Sequence, residues 1–142
     1  MIYHGSEGLA DLRNVVASAV TDLKPVAGRF DSIACTGLSG VAVGVPVSLA
    51  LDRPVVIVRK PGDAHHGSSV VENVEGMGDK FLFLDDFISL GETARLVVGQ
   101  LESLGGKHAG TYLYAKRILR MHSYKLRIRN SVPELVCRCG YC

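Results

Sequence analysis

Thirteen residues, Phe81-Leu82-Phe83-Leu84-Asp85-Asp86-Phe87-Ile88-Ser89-Leu90-Gly91-Glu92-Thr93, restrict the folds open to this 142-residue chain more than any other stretch. Four apolar residues in a row suit a strand buried on both faces, as in a parallel sheet covered by helices. The two carboxylates that follow would stand at the strand's carboxyl end, where open α/β sheets bind ligands. A short glycine-containing loop then opens onto a helix-like stretch, and a helix N-terminus favours anions. Two acids beside such a cradle imply a ligand with both hydroxyls and a phosphate, for example a phosphorylated sugar.

The flanking sequence repeats this alternation. Leu9, Leu12, Val15, Val16, Ala19, Val20 and Leu23 fall at helical spacing, so residues 7–23 read as an amphipathic helix capped by Ser6 and ended by Lys24-Pro25. Residues 30–35 read as a buried strand, 36–40 as a turn and 41–51 as a short helix of small apolar residues. Residues 54–59 form a second strand, 61–69 a polar loop and 70–74 a short extended return. Residues 80–84 form the third strand, 91–104 a helix stopped by Gly105-Gly106, and 111–115 a last strand. Tyr112 and Tyr114 alternate on that strand and read as packing residues. The expected fold is α/β: a parallel twisted sheet with right-handed crossovers and helices on both faces. The loop at 36–40, the segment after Arg59 and the loop at 85–93 would then converge on one edge.

One domain is expected at this length, and 47% apolar residues suffice for a core. No apolar run reaches the ~18 residues of a membrane span, and no signal peptide is visible at the N-terminus. Residues 1–106 carry 8 basic and 13 acidic residues, whereas residues 107–142 carry 8 basic and 1 acidic. That basic segment fits a solvated face, an oligomer contact, or a surface for nucleic acid or a phosphate-rich ligand. Cys137, Cys139 and Cys142 form a C-x-C-x-x-C cluster, three ligands where zinc usually takes four. A reduced tail is the simpler reading. Cys35 reads as a small buried residue.

The run Phe81 to Thr93 resembles the hallmark of the type I phosphoribosyltransferases: four apolar residues, two acids, then a phosphate loop with Ser/Thr and Gly. Further pieces look like orotate phosphoribosyltransferases in order and spacing. They are Phe30-Asp31 with its strand, Thr36-Gly37-Leu38-Ser39-Gly40, Val58-Arg59-Lys60, His66-Gly67 and Glu75-Gly76. The resemblance covers roughly residues 30–104 and implies a phosphoribosyltransferase fold with a reduced hood. The core would span about 7–115, and the basic segment 116–142 would supply a hood or tail.

The resemblance also implies roles. Asp85 and Asp86 would hold the ribose hydroxyls of phosphoribosyl pyrophosphate (PRPP). Ile88, Ser89, Leu90, Gly91, Glu92 and Thr93 would line the 5′-phosphate cradle. Thr36, Gly37, Leu38 and Ser39 would touch the pyrophosphate, Arg59 and Lys60 would neutralise it, and His66 would join when the loop closes. Mg²⁺ would bind mostly through ligand and water, near Asp85. The implied activity is transfer of 5-phosphoribosyl to an orotate-like or other nucleobase in a cytoplasmic homodimer. A rival is a PRPP- or nucleotide-sensing protein of the same fold that binds nucleic acid through its basic segment. Residues 61–65 lack the lysine that orotate enzymes carry there, which favours that rival.

Overall fold

The computed structural model describes residues 11–59, 70–86, 92–121, 124–129 and 132–137. In chain order the elements are α1 (Leu12–Leu23), a 3-10 turn (Lys24–Arg29), β1 (Ser32–Cys35), α2 (Gly37–Leu51), β2 (Val55–Val58), β3 (Val71–Glu72), a second 3-10 turn (Val74–Gly76), β4 (Lys80–Asp85), α3 (Glu92–Ser103), β5 (Lys107–Leu113), β6 (Ile118–Arg120), β7 (Tyr124–Arg129) and β8 (Val132–Cys137). Six strands form one sheet in the order β3-β2-β1-β4-β5-β6, and β7 pairs with β8 in a separate two-stranded sheet.

The four central strands run parallel. The edge strands β3 and β6 run antiparallel, so the sheet is mixed rather than wholly parallel. A parallel return needs a crossover of a dozen or more residues. Residues 114–117 between β5 and β6 are too few, and the chain turns back on itself instead.

Residue alternation along the strands divides the core in two. Ile33, Leu82, Leu84, Tyr112 and Tyr114 face α1 and α2 with Ala19, Leu23, Val43, Val47 and Leu51. Ala34, Val56, Val58, Phe81 and Phe83 face α3 with Ala94, Val97, Val98 and Leu101. Helices therefore cover both faces, as the apolar run of β4 predicts.

Several boundaries differ from the sequence reading. α1 stops at Leu23 before the Lys24-Pro25 step, but its described part begins at Leu12, with Asp11 at the N-cap; Ser6 lies outside the described residues. Residues 36–40 are not a free turn: Thr36 is the N-cap and Gly37 opens α2. β5 starts at Lys107, four residues before the strand read from sequence. Lys107-His108-Ala109-Gly110 has no apolar run to announce it, yet His108 is buried and stacks on Phe81 with ring centroids 5.5 Å apart. The register slips by one residue after Phe81, which pairs with His108 while Leu82 pairs with Gly110. The strands β6, β7 and β8 escaped the sequence reading, so the basic segment is not simply a tail.

Gly110 leaves no room for a side chain. A Cβ there would sit 2.6 Å from the Arg120 carbonyl oxygen and 3.0 Å from Met121 Cα. Backbone atoms cannot swing aside, so Gly110→Ala should prise β6 from β5 and cost about 1–3 kcal/mol. A urea midpoint equal to wild type would refute this.

Asp31 ties β1 to β4. Its Oδ2 accepts hydrogen bonds from the amides of Lys80 at 2.8 Å and Asp79 at 2.9 Å. Those amides, first that of Lys80, hold the carboxyl below the usual carboxylate range. A depressed folded pKa gives stability above the unfolded value, about 3.9, that is lost as pH falls through the folded value. Asp31→Asn should thus lower the urea midpoint at neutral pH, with the gap to wild type narrowing below about pH 3.8. A gap that stayed constant down to acid pH would exclude this role.

Candidate functional site

Because β2, β1 and β4 are adjacent and parallel, their carboxyl ends share one edge of the sheet. Thr36, Arg59, Asp85 and Asp86 therefore lie together there, as expected. The described chain resumes in β3, inside the extended return read at residues 70–74 and antiparallel to β2, and the Arg59 amide donates to the Val70 carbonyl at 2.7 Å. That bond joins the described residues on either side of 60–69.

Asp85 ends β4 and is 6% exposed, while Asp86 follows at the bend and is half-buried. The Asp86 amide donates to Asp85 Oδ1 at 2.8 Å, which fixes the first carboxylate and turns the chain away from the sheet. The carbonyls of both residues accept amides of the next strand's end: Tyr114 N–H to Asp85 at 3.0 Å and Ala115 N–H to Asp86 at 3.1 Å. The acidic pair is thus anchored through its backbone.

The first turn of α2 lies against this pair. A Cβ on Gly40 would stand 3.6 Å from the Leu84 carbonyl oxygen and 3.8 Å from Asp85 Oδ1. At Gly44 it would stand 3.0 Å from Cys35 Sγ. These small residues let the helix start close to the carboxylates, with the unpaired amides of its first turn at the same edge. Burial, and then the charge of Asp85, push the Cys35 thiol up to about 12. It is therefore neutral and packs rather than reacts.

The proposed binding residues among those described have definite places. Thr36 is buried, and its hydroxyl donates to the Val58 carbonyl at 2.5 Å, strapping β1 to β2. Gly37 opens α2 with φ of 68°, a conformation that suits glycine. Leu38 is 80% exposed and Ser39 is half-buried. Arg59 forms an ion pair with Glu72 at 2.8 Å, so its charge is shared before any ligand arrives. Glu92 and Thr93 begin α3, and Thr93 is half-buried. Lys60, His66, Ile88, Ser89, Leu90 and Gly91 lie outside the described residues.

The sequence reading missed Tyr114 as a site residue. It is buried, as a packing residue should be, yet its hydroxyl donates to the Ser39 carbonyl at 3.2 Å. It pins the first turn of α2 from β5. Its alternation with Tyr112 marked it as a core residue but gave no sign of that partner. Tyr112 reaches elsewhere: its hydroxyl donates to Asp22 Oδ2 at 2.7 Å, beside the Arg117–Asp22 ion pair at 2.7 Å.

Among the described residues, no three or more His, Cys, Asp or Glu side chains gather as a metal cage. Two neighbouring carboxylates suit a different arrangement, in which a hard cation such as Mg²⁺ takes one or two protein oxygens and completes its shell from phosphate and water. No helix among the described residues is long and apolar enough to cross a membrane.

No family model matches the chain. The chain is 28% identical over 137 residues to an orotate phosphoribosyltransferase of Listeria monocytogenes, covering 91% of this chain and 66% of that protein. It is 30% identical over 102 residues to an adenine phosphoribosyltransferase of Mycoplasmopsis pulmonis, covering 62% and 60% of the two chains. The crystal structure of orotate phosphoribosyltransferase from Aeropyrum pernix superposes with a TM-score of 0.56 at 19% identity, over 78% of this chain and 59% of that one. The chain thus spans about two thirds or less of the length of these relatives.

Proposed function

Because this chain belongs to the type I phosphoribosyltransferase family, we propose that it transfers the 5-phosphoribosyl group of PRPP to a nitrogenous base and releases pyrophosphate. The bond from C1′ to the pyrophosphate oxygen breaks, a bond from C1′ to a ring nitrogen forms, and the base loses a proton. The observation that carries this reading is the Asp85-Asp86 pair at the carboxyl end of the buried strand β4, beside the first turn of α2 and before α3.

Each group has a physical task. Asp85 and Asp86 accept hydrogen bonds from the ribose hydroxyls, and their charge favours the cationic character that the ring acquires as the bond breaks. The amides of Gly37, Leu38 and Ser39 face the pyrophosphate; the hydroxyl proton of Thr36 is already given to Val58, so Thr36 contributes its position rather than that proton. Arg59, sharing its charge with Glu72, and Lys60 hold the departing negative charge, and His66 adds to them. Ile88 to Thr93 receive the 5′-phosphate at the start of α3. Asp85 would help hold Mg²⁺, mainly through phosphate and water, and the bound ion would neutralise charge on the leaving group.

The orotate-like motifs and the Listeria orotate phosphoribosyltransferase favour a pyrimidine or orotate-like acceptor. The test is calorimetric titration with PRPP and Mg²⁺, then a pyrophosphate-release assay over a panel of bases. Saturable PRPP binding with release for one base supports the proposal; no PRPP binding overturns it. Binding without release for any base would favour the sensing protein instead. That second reading draws on the absence of a lysine from residues 61–65 and on the Arg59–Glu72 pair. On the enzymatic reading, Lys60→Ala should cut turnover at least tenfold while the urea midpoint stays at wild type. Equal turnover would remove Lys60 from the chemistry.

A further inference from the structure

The strand that ends at Asp85 begins at Lys80, and the five steps between them put its ends about 17 Å apart. At the Lys80 end lies a second cleft of about 680 Å³, within the range of small-molecule sites. Arg29, Lys80, Lys107, His108, Gly106 and Glu102 contribute to its lining. We propose that this cleft, at the amino edge of the sheet, binds a small phosphate-bearing anion at a site separate from the PRPP edge.

Charge carries the argument first. Three basic side chains meet one carboxylate, Glu102, in the lining. The excess lies within a stretch of the molecule, residues 1–106, whose net charge is negative, together with the first residue of the basic segment. These cations come from three parts of the chain: the turn after α1, the start of β4 and the start of β5.

Register carries it second. Lys80 and Lys107 are direct partners in the parallel β4–β5 pair, which places two like charges side by side. Like charges directly opposite one another destabilise a sheet. The compensation is partial: Lys107 lies 3.6 Å from Asp79 with both side chains well exposed, a geometry worth little in water, and the exposed Asp31 carboxylate attracts Lys80. Arg29 spends a donor on the Met121 carbonyl at 3.1 Å, one of the five its guanidinium carries. A phosphate group between these side chains would turn the repulsion into attraction.

The neighbouring helix end does not cancel this attraction. The C-terminus of α3 points to this edge, where a helix presents partial negative charge. The Leu101 carbonyl already accepts from the amides of Leu104 and Gly106, and the Glu102 carbonyl from Gly105. Gly106 allows this closure, since a Cβ there would meet Met77 Sδ at 2.8 Å and the Leu101 carbonyl oxygen at 3.0 Å. A partial charge of about half a unit, its carbonyls largely satisfied, together with the Glu102 carboxylate faces three positive charges.

The experiment follows backbone amide resonances of the full chain during titration with inorganic phosphate and, separately, with adenosine monophosphate at constant ionic strength. Saturable shifts are expected at Gly106, Lys107 and Ala109. They should weaken at least tenfold in the Lys80→Gln/Lys107→Gln double variant, which relieves the lysine repulsion and should keep the wild-type urea midpoint. Saturation by inorganic phosphate identifies a free-phosphate site, and saturation by the nucleotide alone identifies an ester site; either supports the inference. No saturable shift at these amides with either probe overturns it, as do shifts that persist in the double variant. Shifts confined to Thr36–Ser39, Asp86 and Thr93 also overturn it, and they leave the PRPP proposal standing.

Discussion

Asp86→Asn should raise the dissociation constant for PRPP with Mg²⁺ by roughly ten- to a hundredfold. A hydrogen bond to a charged group contributes about 1.5–3 kcal/mol, and the amide keeps the size of the carboxylate while removing its charge. Asp86 is half-buried, and its own backbone is held by the Ala115 amide, so the substitution should leave the fold intact. Calorimetry reads the affinity, and a denaturation curve on the same sample reads the fold. Asp85→Asn makes a less clean test, because Asp85 is buried and its Oδ1 also receives the Asp86 amide. An unchanged dissociation constant for Asp86→Asn would remove the acidic pair from the ribose site and with it the basis of the proposed transfer.

Phe83→Ala is expected to have the largest effect on stability, about 3–5 kcal/mol. Phe83 has no exposed surface and fills the layer between β4 and α3, against a cluster that includes Ala34, Phe81, Ala94 and Val97. Truncation removes a ring from the strand that carries Asp85, and neighbouring strands fixed on both sides leave little room to collapse. Against a typical total of 5–15 kcal/mol, such a loss is a large fraction. Urea unfolding followed by circular dichroism measures it. A loss below about 1 kcal/mol would mean that the α3 layer is not packed as described.

These two residues also separate what the sequence discloses from what it conceals. The run from Phe81 to Leu84 announces its burial on both faces, because no polar residue interrupts it. From that one strand the covering helices, the parallel neighbours and the position of the acidic pair all follow. Partners that depend on register are hidden. Nothing in Arg59 reveals Glu72 as its partner, since Glu72 pairs in register with Ile57 and reaches Arg59 only diagonally across the antiparallel β2–β3 pair. The start of β5 is hidden for another reason: His108 enters the core by stacking on Phe81, and a lone histidine between lysine and alanine carries no apolar signature. The strands β7 and β8 read as a basic tail because charge dominated that segment. Yet Tyr124, Leu126 and Ile128 alternate there with Lys125, Arg127 and Arg129, the period of two that a strand requires.

The hydrogen bond from the Arg59 amide to the Val70 carbonyl bears on how this protein tolerates engineering. The segment between those residues starts and finishes at one fixed point, so its contour can grow without displacing β2 or β3. Doubling such a loop costs only about 0.6 kcal/mol in chain entropy. A short epitope spliced between Asp63 and Ala64 should therefore leave the thermal midpoint nearly where it was, whatever it does to the nearby Lys60 and His66.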